Sequence, residues 1–138
     1  MNLARAAGCA LLALAPLLAS AASAFDGYWM KINPDKSLDL SSQVEYKLEK
    51  NHVVMKTPQG ASYRARIDGP DAAMDNNPNT TTVSVRMEGR TVLVQTEKNN
   101  GKPWFVTTME LDEGGKTARV SWKNLKTNEA GSYAMSKQ

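Results

Sequence analysis

From residue 43 onward the chain alternates between apolar and polar side chains with a period of two, the pattern of strands buried on one face. Val44, Tyr46 and Leu48 face one way, against Gln43, Glu45, Lys47 and Glu49. Lys50-Asn51 turns the chain into a second run over residues 52–57. Pro58-Gln59-Gly60 turns it again, into Tyr63, Ala65 and Ile67. Further on, Val83, Val85 and Met87 oppose Ser84, Arg86 and Glu88, and a run over 91–98 sets Val92, Val94 and Thr96 against Leu93, Gln95 and Glu97. Phe105, Thr107, Met109 and Leu111 alternate with Trp104, Val106, Thr108 and Glu110. Ala118, Val120 and Trp122 oppose Arg119, Ser121 and Lys123, and Tyr133 with Met135 ends the chain's last run. Upstream, the apolar run over 28–32 reads as a strand stopped at Asn33-Pro34-Asp35, because proline cannot donate to a ladder.

Two stretches break the rhythm. Residues 38–42 read as a loop or a short crossing segment. Residues 69–79, crowded with Gly, Pro and Asn, read as a loop with one short strand near Ala72 to Met74. That leaves nine strand-like runs and no helical period. Asn100-Gly101 between two β-forming runs is a strong hairpin signal. Short hairpins joining most runs predict an all-β fold, an antiparallel meander of about eight to ten strands closing into a small barrel, since closure removes exposed strand edges.

Residues 1–24 have the layout of a cleavable export signal. Arg5 precedes an apolar stretch broken by Pro16, and Ala22-Ser23-Ala24 fits the small-x-small cleavage pattern. The stretch is shorter than the ~20 apolar residues that span a bilayer. The expected mature protein is one domain over 25–138, periplasmic or secreted, with no transmembrane segment. Cleavage would remove Cys9, the only cysteine, and with it any disulfide, thiolate nucleophile or Cys-based metal site. The chain carries 17 Lys and Arg against 14 Asp and Glu, and this small excess has no dense basic cluster of the kind that grips nucleic acid.

Three motifs carry a resemblance. The opening is Gly27-Tyr28-Trp29, continuing through Asn33-Pro34-Asp35-Lys36-Ser37. A later turn reads Glu113-Gly114-Gly115-Lys116-Thr117, and the ending reads Thr127-Asn128-Glu129-Ala130-Gly131-Ser132-Tyr133. Together they resemble a group of small exported bacterial proteins of lipocalin-like, calycin-type β-barrel fold. The resemblance spans nearly all of residues 25–138. It implies a barrel whose first strand lays a Trp across the closed end, and an exported location, but no activity and no functional residues.

Candidate chemistry is sparse. His52 is the single histidine, and beside a tight turn it reads as solvated. One His and no mature Cys leave no metal site, and no glycine-rich phosphate loop or nucleophile elbow is present, so no cofactor is expected. Glu45, Glu49, Asp68, Glu88, Glu97 and Glu110 fall on polar strand faces and read as solvated, which makes an enzyme the least supported class. Trp104 is expected outside, opposite Phe105, covering the wall under a loop. The apolar face is more informative because methionine adapts to flexible apolar ligands. Tyr46, Met55, Tyr63, Met87, Met109 and Trp122 are the candidate lining of a site for a small hydrophobic ligand. The competing reading fills the same interior with these side chains and leaves a protein-binding or inhibitor module of the cell envelope. The leader itself makes a direct prediction: exported material should begin at Phe25. N-terminal sequencing that still finds residues 1–24 attached would overturn it.

Overall fold

The computed structural model describes residues 23–138, so all of the expected leader except Ser23 and Ala24 lies outside the described residues. Ten antiparallel strands form one nearly closed, barrel-shaped sheet, and no helix is present among the described residues. They are β1 (Gly27–Ile32), β2 (Leu38–Glu49), β3 (His52–Lys56), β4 (Ser62–Arg66), β5 (Asp68–Ala73), β6 (Thr82–Glu88), β7 (Val92–Asn99), β8 (Lys102–Leu111), β9 (Thr117–Asn124) and β10 (Ala130–Lys137). The expected all-β meander and barrel are therefore what the chain forms. Two local readings need correcting. Residues 38–42 are the start of the long β2, held by Leu38 and Asp39 pairing with Ile32 and Lys31 of β1. The broken stretch after Gly69 contains a full strand, β5, whose ladder to β6 is interrupted by a bulge between Asp68 and Asp71. That bulge is what hides it from a period-two reading, since a bulge shifts the alternation by one residue.

Each consecutive pair of strands forms a ladder except β4 and β5, and β1 pairs with β10. The seam of the barrel thus runs between two consecutive strands. It is pinned at one end by the short connection at Ile67. At the other end Ser62 and Asp75 exchange two backbone hydrogen bonds, of 3.2 and 2.8 Å.

One end of the barrel is plugged. Phe25 and Trp29 are fully buried, and the Trp29 indole N–H donates to the Phe25 carbonyl at 2.9 Å. The Asp26 carboxylate accepts from the Leu48 N–H at 2.7 Å, and the Gln138 N–H reaches Tyr28 O at 2.8 Å, so both ends of the folded chain meet here. Val53, Ala65, Val83, Val85, Leu93, Leu111 and Ala118 complete a core rich in small and branched side chains. The outer wall is charged, with Arg64, Arg66 and Arg86 each paired to a nearby carboxylate.

Asn100 and Gly101 both have positive φ, 49° and 81°, and lie between the paired residues Asn99 and Lys102. This is the two-residue turn whose twist matches that of the flanking strands. Asn100→Val should lower stability by about 1–2 kcal/mol, because a β-branched residue resists positive φ. Asn100→Gly should stay within about 0.5 kcal/mol of the parent. Urea unfolding measures both, and an unchanged midpoint for the valine variant would show that the turn tolerates a different geometry.

Candidate functional site

Directly opposite residues in an antiparallel ladder point to the same face. Rows of inward side chains can therefore be followed around the wall. One row runs Tyr46, Met55, Tyr63 across β2, β3 and β4. A second runs Met87, Leu93, Met109, Val120, Tyr133 from β6 to β10, and a third runs Gln95, Thr107, Trp122, Gly131 from β7 to β10. All six candidate residues belong to these rows.

Above the plug the interior is hollow. A cavity of about 520 Å³ opens at the end of the barrel opposite Trp29, with Lys31, Asp39, Ser42, Thr57, Ala61 and Asn77 around its rim. Deeper in, Val44, Met55, Met74, Met109, Val120 and Met135 give it an apolar wall, and Tyr46, Gln95, Glu97, Phe105, Thr107 and Tyr133 add polar and aromatic groups. Of the candidates, Tyr46, Met55 and Met109 line this space. Tyr63 is buried behind it and donates its hydroxyl to Gln95 Oε1 at 2.6 Å, a bond that ties β4 to β7 past the seam. Met87 faces inward but packs against the core. Trp122 stands higher, at a second, more open hollow of about 340 Å³ shared with Phe105, Asn124, Glu129 and Tyr133. Its indole lies across Gly131, where an added Cβ would fall 2.8 Å from the ring, and it stacks with Phe105 at 5.7 Å. Phe105 and Tyr133 border both hollows, so the aromatic rim leads into the cavity.

Glu97 overturns its reading as a solvated surface carboxylate. Strand β7 turns Leu93, Gln95 and Glu97 inward, because Leu93 pairs with the inward Met87 and Met109. Val92 and Val94 consequently face out. The Thr80 hydroxyl, buried in the loop over 74–81, donates to Glu97 Oε1 at 2.9 Å, and the Trp104 indole N–H donates to Thr80 Oγ1 at 3.1 Å. Trp104 also departs from expectation. A bulge between Glu97 and Lys98 in the β7–β8 ladder sets its ring 5.2 Å from Phe105, which consecutive residues of a regular strand do not achieve. It does lie against a loop, where its indole N–H reaches Thr80 and Lys126 sits over its ring. At the rim, Lys31 Nζ sits 5.3 Å from the centre of the Tyr133 ring.

Burial dominates the electrostatics. It raises the pKa of Glu97 above its ordinary 4.5, opposed by the Thr80 hydrogen bond. It raises Tyr46 and Tyr63 far more, with smaller contributions from neighbouring phenols and Glu97, and raises Tyr133 as well. The phenols therefore remain neutral hydroxyls. His52 begins β3 beside the β2–β3 turn and does not line the cavity. Among the described residues no cluster of three His, Cys, Asp or Glu is placed to hold a metal.

No protein-family model matches this chain, and neither does any curated protein or solved structure. The site must be understood from its own chemistry. Sequence reasoning missed Glu97, Gln95 and Met74. A usable signal for the first two was the register forced by Leu93, whereas Met74 follows a strand that the bulge obscures.

The raised pKa of Glu97 fixes a sign. In the folded chain Glu97 keeps its proton to higher pH than in the unfolded chain, so between the two values the native state holds more protons and stability falls as pH rises. The contribution is fully present only below the ordinary value of 4.5. The groups around the carboxylate are Thr80, Tyr46 and Tyr63, with Lys31 and Asp39 nearer the rim. Glu97→Gln retains an oxygen acceptor for Thr80. It should be more stable than the parent at about pH 8, with the difference narrowing at about pH 4. Urea midpoints at the two pH values test this, and an equal gap at both would show that Glu97 titrates like an exposed carboxylate.

Proposed function

We propose that this protein is an exported, non-enzymatic binding protein that holds a small apolar molecule inside its barrel. The observation that carries the reading is the open cavity of about 520 Å³ whose wall includes Met55, Met74, Met109 and Met135. Its size falls within the roughly 300–1,000 Å³ of small-molecule sites, and four methionines give an apolar wall that adapts to the shape of its occupant. Export rests on the leader-like residues 1–24. Phe25, the first residue after the expected cleavage point, is also the first buried one among the described residues, so a mature chain starting there keeps its plug. The resemblance to lipocalin-like exported proteins supports the exported location and the barrel, and carries no activity.

One observation favours the alternative, a protein-binding or inhibitor module of the cell envelope. The first half of β2 extends beyond its ladder to β3, which begins only at Glu45, and Leu40 on that stretch is 72% exposed. An unpaired strand edge that carries an exposed leucine suits pairing with another chain.

Titration with N-phenyl-1-naphthylamine, an uncharged apolar dye, separates the two. Saturable binding with blue-shifted emission is expected. Met109→Asp should weaken it by about tenfold or more, since a carboxylate on the wall opposes burial of the dye. Thr107→Trp, which fills the space without adding charge, should weaken it too. Well-folded protein that never saturates would sink the container reading and leave the envelope module.

A further inference from the structure

We infer that the molecule held in the cavity carries a protonated amine, and that Glu97 receives it. This rests on the reading of the interior as a ligand site and adds the chemical class of the ligand. A carboxylate drawn partly out of water, as Glu97 is, carries a cost that pairing or hydrogen bonding offsets. Glu97 has one oxygen engaged by Thr80, and the other has no hydrogen-bond partner among the described residues while its side chain borders the cavity. No lysine or arginine of the described residues lies within ion-pair distance of it. Lys31, the cation on the cavity rim, is instead placed over Tyr133, and it adds to the lowering of the Asp39 carboxyl's pKa that the Ser41 hydrogen bond chiefly causes. With Lys31 and Asp39 offsetting each other, Glu97 leaves the ionisable lining with an excess of negative charge.

The surroundings of Glu97 suit an organic cation better than a metal ion. Its cross-strand partner is Phe105, and Tyr46 is near enough to feel its charge. Aromatic side chains attract ammonium groups, whereas a hard metal ion favours several charged oxygen ligands, and among the described residues no three His, Cys, Asp or Glu are gathered to hold one. The hydroxyls of Tyr46 and Tyr133 make no hydrogen bond with other described residues and border the same cavity. As neutral phenols they accept a hydrogen bond from an N–H without adding charge. Met55, Met109 and Val120 then take the apolar body. The Thr80 hydroxyl, fixed by Trp104 behind it, holds the carboxylate in place for the incoming cation.

Calorimetric titration with n-decylamine, n-decanol and decanoate at about neutral pH tests this, since the three share a chain and differ in head-group charge. The amine should bind about tenfold tighter than the alcohol, the scale of a hydrogen bond to a charged group, and decanoate should bind weakest. Glu97→Gln should reduce the amine to the level of the alcohol while leaving the alcohol within about twofold of its parent value. Alcohol or decanoate binding as tightly as the amine, or an amine affinity untouched by Glu97→Gln, would overturn the inference and leave the container reading standing. No binding of any of the three would remove both. If the Gln variant proves unfolded, the head-group series on the parent protein still decides.

Discussion

A barrel of ten strands encloses more room than one layer of side chains fills, so its interior becomes a container only when one end is stopped. The Trp29 indole does this. It is fully buried and meets its one hydrogen-bonding requirement within the same segment, at the Phe25 carbonyl, so it can occupy an apolar site without an orphaned donor. Its position also fixes β1 between β2 and β10, where Trp29 pairs with Val44 and Lys137. Lys137 in turn lays its ammonium 5.3 Å from the indole ring centre. The first and last strands are thereby locked together, and the one weak joint falls at β4–β5, where the Tyr63–Gln95 hydrogen bond crosses it. Apolar packing is concentrated around this plug. Polar groups that burial would otherwise penalise are left to the opposite half.

Strand alternation makes the faces of the sheet legible from the sequence. Tyr46, Met55, Tyr63, Met87, Met109 and Trp122 all point inward, because a period of two determines which face a side chain takes and the buried faces are the more apolar ones. Depth is not legible. Strands of a barrel tilt against its axis, so residues in one hydrogen-bonded row stand at different heights. Met87 and Met109 share a row and both pack in the core, yet only Met109 also lines the cavity. Trp122 is carried up to the rim by the same geometry. Only the stagger between strands contains that information, and no single strand's pattern encodes it.

The misread segments share a cause. Strand β5 and the start of β2 are hidden by bulged or polar stretches, and Trp104 by a second bulge at Glu97 and Lys98. A bulge adds one residue to one strand and reverses the facing of the residues beyond it, so period counting misassigns them. Strand β7 is misread for a different reason. Its more apolar set, Val92 and Val94, faces out, while Gln95 and Glu97 face in. Local hydrophobicity there opposes the facing imposed by Leu93 packing against Met87 and Met109, and the tertiary register prevails.

Such a conflict between local pattern and final structure marks places where stability is not the only constraint. Filling the upper half with branched apolar side chains would remove the hollow and the desolvated carboxylate together, and would make a tighter core. The chain instead sets methionines around the space, places Gln95 and Glu97 facing into it, and secures Glu97 with a buried threonine tied to a tryptophan. The Trp122 ring lies across Gly131, which leaves room for it, and stacks with Phe105. None of these arrangements is needed to close the barrel, because the seam, the plug and the ladders do that without them. They concentrate at the open end, and there Tyr46, Gln95, Glu97 and Tyr133 border one space. A dry core has no use for that arrangement, whereas the proposed occupant, with an apolar body and one hydrogen-bonding head, would give these side chains something to contact.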